Sequence, residues 1–353
     1  MPARALVVRA GPLIEGPHMV RVISRRLIQL VATVVALMTL VFFWLRSLPG
    51  GPVDALLGER ATPQTRELLT RALGYDQPIW VQYGRFLKNV VTGNFGNSIR
   101  TGEPVTEVIG RAFPATIELA IAAIIIAIGL GIPLGYLAAK HRGRLLDNAT
   151  IIVTLVGISI PIFFLGYLLK DWLTQDIHLF PPSGRISTGL GNTDVTGFFV
   201  LDGLLTRELD ASADALWHLV LPAFTLATIP LAIIIRITRA SVLDVLDEDY
   251  IRTADAKGLR HATVRKRHVL RNALLPVVTT IGLQTGALLA GAVLTEKVYN
   301  WGGLGTLITD SISGGRDYPV LQALILLAAI VFIVVNLAVD LSYAFIDPRV
   351  RVK

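Results

Sequence analysis

No cysteine occurs in the 353 residues, which excludes a disulfide framework, a thiolate zinc site and a cysteine-held iron–sulfur cluster. Charge is scarce too: Asp, Glu, Lys and Arg make up 17% of the chain, where soluble domains carry about a quarter. No Gly-x-x-x-x-Gly-Lys-Ser/Thr is present and no Gly-Lys pair exists, so the chain has no Walker A phosphate cradle. A Gly-x-Ser-x-Gly nucleophile elbow is also missing. The six histidines (His18, His141, His178, His218, His261 and His268) include no His-x-x-x-His pair, so neither a metal site nor a catalytic centre is expected. The chain is expected to be no enzyme by itself.

What is present is apolar. Hydrophobic residues make up 53% of the chain and the mean hydropathy is +0.60. Six apolar runs stand out, at 27–45, 114–139, 149–169, 216–235, 274–294 and 321–346. At ~1.5 Å per residue each is long enough for a hydrocarbon core of ~30 Å. Apolar residues surround each run on all sides, which a surface helix of a soluble protein would not show. Unpaired backbone groups in lipid cost several kcal/mol each, so the runs read as helices and not as open strands. The expected fold class is an all-α polytopic membrane protein with six transmembrane helices.

Basic residues set the orientation. Segments 1–26, 140–148, 236–271 and 347–353 hold 20 Lys and Arg; segments 46–113, 170–215 and 297–320 hold 13 over a greater total length. The first group reads as cytoplasmic, with both termini inside. The net charge of +7 thus alternates from loop to loop and forms no basic stripe for nucleic acid. The first run follows Arg21, Arg25 and Arg26, yet its core is too long for a signal peptide and no small-x-small site follows it. The expected organisation is an N-terminal extension at 1–19, with Met19 an alternative start, then a first span at 20–46. An extracytoplasmic loop at 47–113 and a transmembrane core at 114–353 complete it. In the first outer loop, Thr62 reads as an N-cap and Pro63 as the first helical position.

The segment 241–276 is the most informative. A passive helix connection needs about two to eight residues, and this one is far longer. It reads as two helices broken at Gly258. Asp247, Glu248 and Asp249 favour a helix start, and Arg265, Lys266 and Arg267 fall in the next helix. Ala254 and Ala256 keep the surface small, and Gly258 permits a turn that a side chain would hinder. A short, rigid, basic helix of this kind suits docking into a partner's groove.

Arg252-Thr253-Ala254-Asp255-Ala256-Lys257-Gly258-Leu259, followed by Asn272-Ala273-Leu274-Leu275-Pro276, resembles the "EAA" loop of ABC importer permeases. That family's pattern is Glu-Ala-Ala-x-x-x-Gly; here Arg252 and Thr253 replace the Glu and the first Ala. The outer stretches Leu73-Gly74-Tyr75-Asp76-Gln77-Pro78, Gly93-Asn94-Phe95-Gly96-Asn97-Ser98 and Pro181-Pro182-Ser183-Gly184-Arg185 are similar to dipeptide and oligopeptide permeases. So are Trp301-Gly302-Gly303-Leu304-Gly305 and Arg316-Asp317-Tyr318-Pro319, whereas 188–214 departs from the pattern. The resemblance implies a type I importer subunit in a bacterial inner membrane. It also implies a second permease, two ATP-binding subunits or a fused pair, and an extracytoplasmic solute-binding protein. ATP and Mg would bind the partner ATPases, and this chain would need no cofactor or metal. Arg252, Thr253, Ala254, Ala256, Lys257, Gly258 and Leu259 would then be the ATPase-coupling residues. The cargo stays open among dipeptides, longer peptides, haem, nickel chelates and glutathione.

Polar residues inside spans are the remaining candidates. Thr279, Thr280, Gln284 and Thr285 place polar groups within two turns of the fifth run, either as pathway wall or as interhelical hydrogen bonds. Glu118 and Asp340 are intramembrane acids, either proton-relay groups or boundary carboxylates that reach a neighbour. Pro161 and Pro230 are expected to kink the third and fourth spans. A stand-alone secondary transporter would need repeated spans and a central coupling acid, and the sequence shows neither.

Overall fold

The computed structural model describes residues 16–47, 53, 57, 62–72, 74–191, 193–313 and 317–346, with the side chains of a smaller set within them. The described residues are helical, apart from loops and an isolated bridge between Asn97 and Pro104. In chain order the helices are α1 (Gly16–Ser47), α2 (Pro63–Ala72), α3 (Ile79–Val91), α4 (Val105–Lys140), α5 (Leu145–Ser159) and α6 (Ile162–Lys170). A π-helical turn (Asp171–Asp176) follows, then α7 (Phe199–Leu205), α8 (Leu209–Leu246) and α9 (Asp249–Ala256). A short helical turn (His261–Thr263) and a π-helical stretch (Val264–Leu270) run into α10 (Arg271–Tyr299), before α11 (Leu304–Ser313) and α12 (Tyr318–Ile346). As expected, α2 starts at Pro63, and the Thr62 hydroxyl accepts the Thr65 amide at 3.2 Å.

The central pair is α4 against α8. Every fourth residue of α4 from Ala115 to Ala139 is buried: Ala115, Leu119, Ala123, Ala127, Gly131, Gly135 and Ala139. This i+4 row of mostly small residues forms one ridge and lets the backbones approach. A Cβ at Gly131 would come within 2.7 Å of Ile234, and one at Gly135 within 2.7 Å of the Ile235 carbonyl. Val277, Leu288 and Ala292 of α10, together with Trp301, complete the core around this pair.

α4, α8 and the α12 stretch to Val335 are long and apolar enough to cross a membrane, and two bent pairs qualify as well. One pair is α5 with α6 and its π-helical turn; the other runs from His261 to Tyr299. The first expected span lies in α1, whose described apolar stretch is Val31–Trp44. The expected third span is not a single rod, since its two helices meet at 104°. Pro161 has no N–H and crowds the residue before it, and Ile160 is accordingly extended at ψ 126°. Pro230, expected to act likewise, lies within the unbroken α8.

The segment from residue 177 to 208 folds over the starts of α4 and α8, and carboxylates hold it there. Glu118 accepts the Arg185 guanidinium at 2.7 Å and the Val200 amide at 3.0 Å. Arg185 also donates to the Gly197 carbonyl at 2.7 Å and lies 3.8 Å over the Phe199 ring. Glu118 is therefore a buried pin for the loop, as a carboxylate reaching a neighbour should be. Asp340 lies outside the residues whose side chains are described. Glu296, fully buried, accepts the Thr116 hydroxyl at 2.6 Å and the Gly305 and Thr306 amides at the start of α11. Asp317 accepts the Ser98 hydroxyl at 2.5 Å and joins the 93–100 loop to α12.

Asp202, fully buried at the base of α7, accepts the Thr196 hydroxyl and the amides of Val195, Thr196 and Gly197. Burial by itself would raise its carboxyl, but these hydrogen bonds hold it below the ordinary carboxylate value. A lowered folded-state pKa stabilises the loop above the unfolded value near ~3.9, and this contribution fades as pH falls through the folded value. Asp202→Asn presents an amide N–H to backbone donors and is expected to cost about 1–3 kcal/mol. Limited proteolysis of the 177–208 loop should show faster cleavage in the variant at neutral pH. Below pH ~4 the wild type should lose its advantage.

Candidate functional site: the α8–α10 connection

α8 ends at Leu246 and the chain turns through Asp247 and Glu248 into α9, with Glu248 as the extended N-cap residue. α9 has two kinds of face. Ile251 and Ala254 are buried, packed with Ala139 of α4, Val242 of α8, and Val264, Val269 and Ala273 beyond the turn. Arg252, Thr253, Asp255, Ala256, Lys257, Gly258 and Leu259 are exposed. Six of the seven expected coupling residues thus form one surface, whereas Ala254 belongs to the supporting core. That split follows from helical periodicity, because 251 and 254 are three apart and share a side.

The stop at Gly258 has a specific geometry. The Leu259 amide donates to the Ala254 carbonyl at 3.4 Å, and the Gly258 amide to the Asp255 carbonyl at 2.9 Å. This pairing is a Schellman motif, which places the residue after the cap in the left-handed region. Gly258 accordingly has φ +70°, and a Cβ there would meet nothing within 4 Å in this chain. The glycine is needed for its backbone angle, and the space beside it is open. Beyond the turn, Asn272 donates to the Tyr250 hydroxyl at 2.9 Å and ties α9 to the start of α10.

A second clasp sits close by. Asp147, 1% exposed on the first turn of α5, accepts Arg239 of α8 through Nε at 2.5 Å and an amino group at 2.9 Å. It also accepts the Gly143 amide at 2.9 Å. The geometry is bidentate and directional. It fastens the 140–148 connection to the helix that leads into the exposed surface. Sequence reading missed this pair, since 92 residues separate its members and neither shows a local motif.

The polar candidates of the fifth run lie half-buried on α10. The hydroxyls of Thr279, Thr280 and Thr285 donate to the carbonyls of Leu275, Pro276 and Ile281, four residues back. They are satisfied within their own helix, so neither the interhelical nor the pathway reading gains support from them. Gln284 has no hydrogen-bond partner among the described residues. Among the described residues no group of three or more His, Cys, Asp or Glu could hold a metal ion.

Known proteins share this architecture. The chain is 44% identical over 339 residues to the dipeptide transport system permease protein DppB of Escherichia coli (strain K12), covering 95% of this chain and 100% of that protein. It is 45% identical over 334 residues to the di/tripeptide transport system permease protein DppB of Pseudomonas aeruginosa, covering 94% and 99% respectively. The glutathione transport system permease protein GsiC of Salmonella paratyphi A is 39% identical over 335 residues, covering 95% and 100%. Among solved structures, a chain of the methionine ABC transporter MetNI in an inward-facing conformation aligns with a TM-score of 0.52. At 16% identity, over 69% of this chain and 97% of that one, the likeness is one of fold alone. The chain belongs to the binding-protein-dependent transport system inner membrane component family, whose model matches residues 131–352, beside the family's N-terminal model at residues 19–120.

Proposed function

We propose that this chain is one transmembrane subunit of an ATP-driven importer for dipeptides and related short peptides. It works beside a second, different permease, and the translocation pathway forms between the two. Two ATP-binding subunits, or a fused pair, hold ATP and Mg, and an extracytoplasmic solute-binding protein delivers the cargo. The complex resides in a bacterial inner membrane with both termini of this chain inside. The division into an extension (1–19), first span (20–46), outer loop (47–113) and core (114–353) belongs to the same reading.

One observation carries it: a short helix, α9, stands exposed on a buried footing of Ile251 and Ala254, and with two Asp against one Arg it is not basic as the sequence led one to expect. Arg252, Thr253 and Ala256 on it, and Lys257, Gly258 and Leu259 in the turn that ends it, are exposed among the described residues. A partner that grips this helix displaces the ends of α8 and α10 together, because the connection is packed onto both. The mechanism is thus a two-state movement biased by nucleotide on the partner. Gln284, on α10, faces the pathway in this reading, with Thr279, Thr280 and Thr285 beside it.

Dipeptide cargo rests on the names of the most similar relatives. Glutathione is the second reading, supported by a relative that is 39% identical over nearly the whole chain. Reconstitution of the chain with a second permease, ATPase subunits and a solute-binding protein from the same cell tests both. Labelled dialanine should enter vesicles only when ATP and all subunits are present, and excess glutathione should not compete. Uptake driven by a proton gradient without ATPases would sink the importer reading, and competition by glutathione at equal concentration would move the cargo.

A further inference from the structure

We propose that α3 is an interfacial anchor whose partner is the lipid surface at the outer leaflet. This rests on the reading of α1 as a membrane span. Trp80, Gly84, Leu87 and Val91 recur at i, i+4, i+7 and i+11, which puts them on one stripe of the helix. Trp80 is 72% and Val91 84% exposed and Leu87 is half-buried, so the two ends of the stripe stand open among the described residues. Arg85 and Asn89 occupy the other side, and Lys88, four residues after Gly84, flanks the stripe. A helix with one apolar stripe bearing Trp and a basic polar side has the composition of helices that lie in the headgroup boundary.

Three contacts fix α3 at the right height. The Tyr83 hydroxyl is 2.6 Å from the Thr39 hydroxyl of α1. Thr39 lies six residues before the end of the first apolar run, or ~9 Å below it at the helical rise. At the top, Arg46 donates through Nε to Gln82 at 3.1 Å, with its guanidinium 3.5 Å over the Phe42 ring. Phe42 packs edge-on against Tyr83, with ring centroids 5.1 Å apart. The Gln82–Tyr83 turn of α3 therefore sits between the Thr39 and Arg46 levels of the span. Interfacial helices bury their apolar side ~5–10 Å into the headgroup and acyl boundary, which is this zone. Leu40, Phe43 and Trp44 of α1 are exposed at the same height, and the Phe43 ring stacks on Tyr83 of α3. Trp44 and Trp80 together supply the aromatic belt expected at that level.

The lack of native cysteine makes the test direct. Single-cysteine variants Trp80→Cys, Val91→Cys, Asn89→Cys and Leu40→Cys carry a nitroxide label in the assembled complex. The complex is placed in phosphatidylethanolamine–phosphatidylglycerol vesicles. Relaxation by oxygen and by a water-soluble nickel chelate reads the surroundings of each label. Positions 80 and 91 should favour oxygen over nickel several-fold more than position 89 does. Nickel access at 80 and 91 equal to that at 89 overturns the anchor. Exclusion of both reagents there also overturns it and assigns the stripe to a protein partner. Leu40→Cys separates the two readings: oxygen access at 40 with nickel access at 91 fails α3 alone, whereas nickel access at 40 fails the span.

Discussion

The double variant Lys257→Glu with Gly258→Trp is expected to lose ATP-driven uptake entirely while still entering the membrane and assembling. Gly258 sits at φ +70°, where an L residue is strained by about 1–2 kcal/mol. Most of that cost falls on the last turn of α9, because a Cβ there meets nothing within 4 Å. The footing of Ile251 and Ala254 against Val242, Val264 and Val269 is untouched. The fold should therefore survive, with the lesion confined to the exposed surface. Lys257→Glu reverses the charge of the residue beside it, and an indole in the open space collides with whatever docks. Gly258→Ala supplies the graded control, with the strain but little bulk. The measurement pairs uptake with gel-filtration assembly and with ATP hydrolysis by the complex. Normal uptake by the double variant would remove the coupling assignment.

Arg185→Ala is expected to have the largest effect on stability. It strands Glu118, whose side chain is 9% exposed, beside an empty site. Breaking one partner from a buried pair typically costs about 3–5 kcal/mol. The Gly197 carbonyl loses its donor as well, and the Phe199 ring loses the cation stacked on it. Glu118→Gln together with Arg185→Met removes both charges, and should recover a large part of the loss. Thermal unfolding in detergent of Arg185→Met, Glu118→Gln and the double completes the cycle. Equal stability of wild type and Arg185→Ala would mean that the pair does not hold the loop. The same set addresses proton transfer. Glu118→Gln should leave the pH dependence of uptake unchanged, and a pH-dependent loss of transport would return Glu118 to the role of a relay.

Local physics explains what could be read early. Apolar runs at 114–139, 216–235 and 321–346 reappear in α4, α8 and α12, because length and hydropathy are properties of contiguous residues. Thr62-Pro63 as a helix start and Gly258 as a helix stop are equally local, each fixed by one turn of backbone. Pro161 announced a kink, but its size needed the surroundings: the break becomes a 104° turn as α6 packs against α8 and α10. The same residue type at Pro230 leaves a continuous helix inside α8, so proline by itself does not set the outcome.

The pairings could not be read in this way. Glu118 with Arg185, Asp147 with Arg239 and Thr116 with Glu296 join residues 67, 92 and 180 positions apart. An acid in an apolar run looks the same whether it relays protons or pins a loop, and only its neighbour in space tells the two apart. Ala254 likewise looked like part of the docking surface until helix phase and packing turned it inward. The sequence by itself determined the helical class, the approximate spans and the position of the exposed connection, since hydrophobicity and backbone preference act within a few residues. The tertiary structure alone decided which charges are clasped, which polar groups are already satisfied and which face is left open, since those depend on residues that meet only after the helices have packed.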